Sequence, residues 1–401
     1  MKLSEKPIWH GVALVVGGAI GAGMFALPIV SSGMWFNWAV LAMLFVWGIT
    51  YLAARLLADV NMLFPAGTSF YTLTKRVLGQ GLAWSNSVSI AFILFILLYA
   101  YMTAGASITE HLLQTFGRDV PSLPRRSLSL VFALVLALLV SMGTTLVSRI
   151  SSVLLVGMVV AFASANYSLL DHVQLARLDV GQLSPELFNY SWAALPVLVT
   201  AFACGGLVPS LVKYYPERPK AVVNSLFYGT LLVLVVYVLW LLITFGALPR
   251  SAYLPVIEQG GNVGDLVAAI RSESSTGPAG AALAWFSRFA IVTSFLSIGL
   301  SLFHFVGDLL HWQAGIAGRF KTGLVTFVPP ALLSFIFPYG FVSAIGYAGL
   351  MVAFSFFVLP ALMHGRRFGW SAASRLVVAA GLLIALLKVL SMLSLLPVYA
   401  A

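Results

Sequence analysis

The chain is 401 residues long, 61% hydrophobic and only 8% charged, with a formal net charge of +10. Soluble domains carry about 25% charged residues, so this composition excludes an ordinary soluble globular protein. The basic residues are spread over short loops rather than gathered in a patch, which argues against nucleic acid as a partner, and Cys204, the single cysteine, leaves no intrachain disulfide to form.

A membrane-crossing helix needs about 20 mainly apolar residues. Eleven such runs are predicted along the chain: 9–30, 34–58, 84–109, 127–147, 150–170, 192–212, 222–247, 281–309, 320–338, 341–363 and 374–396. The first is too long for a cleaved signal peptide and lacks a small-residue cleavage pattern, so it is expected to stay as a span. The runs occupy the whole length, which reads as an all-α membrane protein with one transmembrane domain, 1–401. Between the second and third runs, segment 61–82 carries Pro65, Gly67 and the amphipathic stretch Ser69–Leu78, expected to lie along the cytoplasmic face. Between the seventh and eighth, segment 250–278 has Gly260-Gly261-Asn262 between two short helical patterns and is long enough for an outer lid. With the N-terminus in the cytoplasm, fourteen of the 22 lysines and arginines fall inside and six outside, while Arg288 and Lys388 lie within spans. That bias predicts an N-terminus inside and the segment Leu395–Ala401 outside.

Two spans carry glycine-rich breaks followed by proline. The first runs Gly17-Gly18-Ala19-Ile20-Gly21-Ala22-Gly23-Met24-Phe25-Ala26-Leu27-Pro28, and the second Ala201-Phe202-Ala203-Cys204-Gly205-Gly206-Leu207-Val208-Pro209. Glycines in one such place would equally suit close helix packing. Their recurrence in spans 1 and 6 predicts discontinuous helices, tolerated in a bilayer only where the backbone faces protein or a water-filled cavity. It also predicts a five-plus-five inverted repeat, about 9–170 and about 192–363, with an extra helix at about 374–396. Such repeats place a transporter's substrate site between them at mid-membrane. A helix restarted in the bilayer offers unpaired amides, here those of Ala22, Gly23 and Met24, to a carboxylate. Carbonyls freed near Ala19, Ile20, Phe202 and Ala203 suit an ammonium group. The breaks contain no charged side chain, so the expected ligand is zwitterionic. In span 3, Phe92, Phe95 and Tyr99 share a face at helical spacing, and Phe202 abuts the second break. That predicts a pocket for an apolar or aromatic side chain, to which Cys204 and Gly205 also contribute.

Ionisable residues within spans are functional candidates by default. They are few: Asp59, Arg288, His304, Asp308 and Lys388. His304 and Asp308 are four apart and share a helix face, and a histidine beside a carboxylate can titrate near neutral pH. The pair is the candidate for proton handling, though it reads equally as a contact orienting span 8. Lys388 has a stem long enough to snorkel. No HExxH, GxSxG or phosphate-binding GK[ST] loop occurs, so neither an enzyme nor a nucleotide-driven pump is indicated, and no cofactor or metal is expected. The polar residues are too sparse to line the continuous pore of a channel.

Several stretches carry a resemblance. Gly21-Ala22-Gly23-Met24-Phe25-Ala26-Leu27-Pro28 is similar to the first-helix signature of the bacterial aromatic amino-acid permeases, in the amino acid–polyamine–organocation superfamily. Gly33-Met34-Trp35-Phe36-Asn37-Trp38, Val208-Pro209-Ser210-Leu211-Val212-Lys213-Tyr214-Tyr215 and Ala344-Ile345-Gly346-Tyr347-Ala348-Gly349-Leu350 extend it over nearly the whole chain, closest to the tryptophan-specific branch. The resemblance implies eleven spans, an inverted repeat and proton-coupled uptake of tryptophan, or of aromatic amino acids more broadly, across a bacterial inner membrane. It implies Gly21, Ala22 and Gly23 as carboxylate contacts and Phe202 to Gly206 as the other half of the site. The chain departs from that pattern at Met158, where relatives tend to carry a lysine, at His304, where they tend to carry an acidic residue, and at Cys204-Gly205, where a histidine is common. Thr293 and Ser294, facing the first break, would offer oxygens to sodium. Sodium symport and a non-transporting amino-acid sensor therefore stay open beside proton symport.

Overall fold

The computed structural model describes residues 6–116, 123–179, 183–273, 278–312 and 315–399. They form eighteen α-helices: α1 (Ile8–Ala19), α2 (Ala26–Ser31), α3 (Trp35–Asn61), α4 (Phe70–Leu78), α5 (Gln80–Phe116), α6 (Arg125–Met142), α7 (Thr144–Leu170), α8 (Pro185–Phe188), α9 (Ser191–Ala201), α10 (Val208–Tyr214), α11 (Pro219–Ala247), α12 (Tyr253–Glu258), α13 (Val263–Glu273), α14 (Pro278–Leu310), α15 (Ile316–Ile336), α16 (Phe341–Ala353), α17 (Leu359–Phe368) and α18 (Ala372–Met392). Among the described residues, nine helical segments are long and apolar enough to cross a membrane, or ten if the bent pair α1–α2 counts as one span. The predicted run 320–338 is helix α15, which Arg319, Lys321 and the adjacent Pro329-Pro330 leave outside that count. The chain is thus a multi-pass membrane protein. The predicted runs 127–147 and 150–170 are divided earlier than expected, at Gly143, whose φ of +125° ends α6 and lets α7 begin at Thr144.

Both predicted breaks are present. Between α1 and α2 the chain leaves helical geometry at Ile20 and Gly21, makes one 3₁₀ turn over Ala22–Phe25 and restarts, with a bend of 56° between the halves. Between α9 and α10 it unwinds at Phe202–Cys204, with a 3₁₀ turn over Gly205–Leu207. A third irregularity is a π-helical stretch, Phe354–Val358, joining α16 to α17. The helices pack in matched pairs: α1 against α11 and α9 against α3; α7 against α14 and α16 against α5.

The two ends of the bundle close differently. At one end α4 lies across the helix ends, its first turn capped by the Ser69 side chain accepting from the Thr72 amide at 3.2 Å. At the other lie α12 and α13, the segment expected as a lid, turning at Gly260 and Gly261. Gly260 combines a φ of +82° with a neighbouring Tyr339 carbonyl that would stand 2.4 Å from any Cβ. Arg125, at the start of α6, donates both terminal nitrogens to Asp265 of α13, at 3.0 and 2.9 Å, and its Nε to Glu110 of α5. The His111 Nε2 lies 2.9 Å from the same Asp265 carboxylate. Burial opposes the charge on Asp265, but the hydrogen bonds and charges of His111 and Arg125 outweigh it and hold the carboxyl below the ordinary carboxylate range. Beneath the lid, Phe25, Phe162, Trp240 and Phe286 form an aromatic plug, with Phe25 and Phe286 centroids 5.0 Å apart and Phe25 edge-on to Trp240 at 5.7 Å.

Candidate functional site

A cavity of about 630 Å³ lies between the two breaks, within the range of small-molecule sites. Its walls come from Gly17–Gly21 and Gly23 of the first break, Thr200, Ala201, Ala203 and Gly206 at the second, α5, α7, α14, and the stretch from Ile345 to Phe356. It extends from the breaks toward the α4 end, where Phe70 of α4 and Phe356 of the π stretch line it, their rings 5.9 Å apart and nearly parallel. Among the described residues no charged side chain lines it. The polar groups are hydroxyls, from Tyr101, Ser151, Thr200, Thr293, Ser294, Ser297 and Ser301, and backbone. Such a lining can receive a zwitterion only through dipoles and hydrogen bonds, with an apolar body against Ile93, Leu94, Leu97 and Ile345.

The breaks are held by side chains from other helices. Tyr237 of α11, fully buried, has its hydroxyl 2.8 Å from the Ala19 carbonyl and 3.1 Å from that of Ala201. These are the last helical residues before each break, so one hydroxyl proton serves the carbonyls of both interrupted helices. The Ala22 amide donates to Ser294 Oγ at 3.0 Å. Any Cβ on Gly21 would stand 2.6 Å from that same oxygen, whereas one on Gly23 meets nothing within 4 Å and would project into open space.

The predicted residues separate accordingly. Ala19, Ile20, Gly21, Gly23, Ala203, Thr293 and Ser294 line the cavity. Ala22 and Met24 are buried beside it, and the Ala22 amide is already engaged by Ser294. Phe202 packs edge-on against Tyr237 at 5.0 Å, away from the cavity. Cys204 is buried, and Phe356 covers Gly205, its ring 2.6 Å from where a Cβ would be. On α5 the face presented is not the aromatic one. Ile90, Ile93, Leu94, Leu97 and Tyr101 line the cavity, while Phe92 is 38% exposed and Tyr99 donates to the Phe337 carbonyl at 2.7 Å under the lid. Two residues along a helix turn a side chain through about 200°, so the choice between phases reverses the face. His304 and Asp308 are not brought together. Both are exposed on the α4 half of α14, outside the cavity, and the His304 Nε2 lies 3.3 Å from Thr144 Oγ1. Met158 does line the cavity wall. Tyr237, Tyr101 and Phe356 escaped the sequence reading. Nothing local distinguishes a tyrosine that reaches two carbonyls 218 and 36 residues away from one packed in the core.

Comparisons with known proteins agree with one another. The model of the tryptophan/tyrosine permease family matches residues 4–397. A tryptophan-specific transport protein of Haemophilus influenzae is 43% identical over 358 residues, covering 88% of this chain and 86% of that protein. One of Pseudomonas aeruginosa is 41% identical over 371 residues, 91% and 88% of the respective chains, and a tyrosine permease of Enterobacter agglomerans 34% over 367, 90% and 87%. Among solved structures, a mutant manganese transporter of Eremococcus coleocola matches with a TM-score of 0.60 over 98% of this chain and 88% of that one. At 13% identity that likeness is one of fold alone.

Proposed function

The chain belongs to the tryptophan/tyrosine permease family, and from that premise we propose that it is a secondary importer of aromatic amino acids, tryptophan first, working by alternating access. The observation that carries this reading is the uncharged cavity between two interrupted helices. The substrate carboxylate sits at the first break beside Gly21 and Gly23, the ammonium near the Ala19, Ile20 and Ala203 carbonyls, and the ring against the aliphatic face of α5. Eleven spans follow when the bent pair and α15 are both counted. The matched packing supports a five-plus-five inverted repeat: span 1 on span 7 corresponds to span 6 on span 2, and span 5 on span 8 to span 10 on span 3. The lysine and arginine bias supports an N-terminus in the cytoplasm of a bacterial inner-membrane protein and a periplasmic lid. The cavity on the α4 side then makes this conformation inward-facing.

Proton symport is the first reading for coupling. Sodium symport is the second, favoured by the hydroxyls of Thr293 and Ser294 on the cavity wall that Met158 also lines. The test is labelled tryptophan uptake into proteoliposomes under an inward proton gradient or an inward sodium gradient imposed separately. Accumulation with protons alone is expected. Accumulation only with sodium transfers coupling to Thr293 and Ser294, and saturable binding without accumulation under either gradient would sink the transporter reading in favour of a sensor.

A further inference from the structure

A second cavity, of about 220 Å³, lies at the lid end among α2, α9, α16 and α18, separate from the substrate cavity. The wall between the two is the α9–α16 contact, where Thr200 donates to the Ile345 carbonyl at 3.0 Å and a Cβ on Gly349 would stand 2.1 Å from the Pro196 carbonyl. The second cavity is lined by Gly33, Tyr190, Ser343, Gly346, Ser391 and Lys388. Lys388 is only 8% exposed, so its amine does not snorkel to the membrane surface. The nitrogen stands 4.1 Å from the centroid of the Tyr347 ring and would be 3.0 Å from a Cβ on Gly346, so the glycine makes room for it. Among the described residues it has neither a carboxylate nor a hydrogen-bond acceptor as partner, and no acidic residue lines the cavity. Arg250 brings a second positive charge close by, donating to the Ser32 and Gly33 carbonyls at 3.0 and 2.8 Å and lying 4.2 Å over the ring of Tyr399, which with Gly33 lines the cavity.

A buried cation within a span is retained where something pairs with it, and here the Tyr347 ring covers one side of the amine while the cavity holds no anion or acceptor for the rest of it. We propose that this cavity is a binding site for an oxyanion group, carboxylate or phosphate, borne on an apolar body and held by Lys388 with the hydroxyls of Tyr190, Ser343 and Ser391. Two sources share that chemistry: the headgroup of an anionic phospholipid, which would reach the site along the exposed leucines of α18, Leu382 and Leu386 among them, or a free anion.

The experiment is thermal unfolding of the full chain in zwitterionic detergent micelles, titrated separately with phosphatidylglycerol and with inorganic phosphate. A saturable rise in Tm is expected for the wild type, with at least tenfold weaker response in Lys388→Met. Gly346→Ala, which pushes the amine aside without removing charge, should weaken the response while melting as the wild type does without added anion. A response to phosphatidylglycerol alone assigns the site to lipid, and a response to phosphate as well assigns it to the free anion. No rise in the wild type with either probe, or equal rises in wild type and Lys388→Met, would overturn the proposal.

Discussion

Tyr237 is the residue on which both interrupted helices converge, and its removal is the most local test of the site. In Tyr237→Phe the ring still packs on Phe202, but the Ala19 and Ala201 carbonyls lose their shared donor. One buried hydrogen bond contributes about 1 kcal/mol, and an orphaned acceptor raises the loss to about 1–3. The expected outcome is a fall of that size in unfolding stability, together with a lower maximal uptake rate. Substrate affinity changes less, because the hydroxyl holds the carbonyls rather than the ligand. Gly23 offers the complementary test. A leucine there meets no protein atom near its Cβ and instead fills the cavity, so Gly23→Leu should fold with wild-type Tm yet lose tryptophan binding by tenfold or more; normal uptake by this variant would place the carboxylate elsewhere. The glycines were legible in the sequence because a break needs them. The wall of α5 was not. Its alternation of Phe, Ile and Leu is apolar all round, and only the neighbouring helices decide that the aliphatic face of Ile93 and Leu97 turns inward while Phe92 turns out.

At the scale of elements, the lid is fastened by charge. Asp265 of α13 receives Arg125 and His111 from two spans, and because its carboxyl is held below its ordinary value, the stabilisation is fully present above about pH 4–5 and is lost as pH falls through the lowered folded value. Thermal stability should therefore decline in acid for the wild type and show a flatter acid limb in Asp265→Asn. That variant is also expected to be less stable near neutrality by about 3–5 kcal/mol, since Arg125 stays buried with half its partners removed. An unchanged acid limb would detach the lid from this carboxylate. The helices around the lid were readable from hydropathy and from Gly260-Gly261, and α4 from the amphipathic stretch Ser69–Leu78. The π stretch at Phe354–Val358 was not, since one extra residue per turn leaves hydropathy unchanged, and with it went the placement of Phe356 over the second break. The expected His304–Asp308 pair failed for a related reason. Spacing of four puts two residues on one face, but Thr144, from the start of α7, is what His304 meets there.

For the whole molecule, the sequence carried the succession of apolar spans and the two breaks, because each arises from a bilayer's demand on every residue in a segment, while the count of eleven stands against nine or ten among the described residues. It could not carry the division of the interior into a cavity on one side and an aromatic plug on the other, which depends on how helices far apart in the chain meet. The absence of charged side chains from the cavity wall among the described residues has an electrical consequence. A zwitterionic substrate adds no net charge and the cavity wall adds none, so on the proposed cycle the loaded site differs from the empty one only by the charge of its coupling ion. A membrane potential then acts on one leg alone, driving the inward step by up to about 2.3 kcal/mol per 100 mV for each ion and leaving the return step untouched. Voltage should raise substrate-evoked currents until the empty return limits them, after which further polarisation gains nothing.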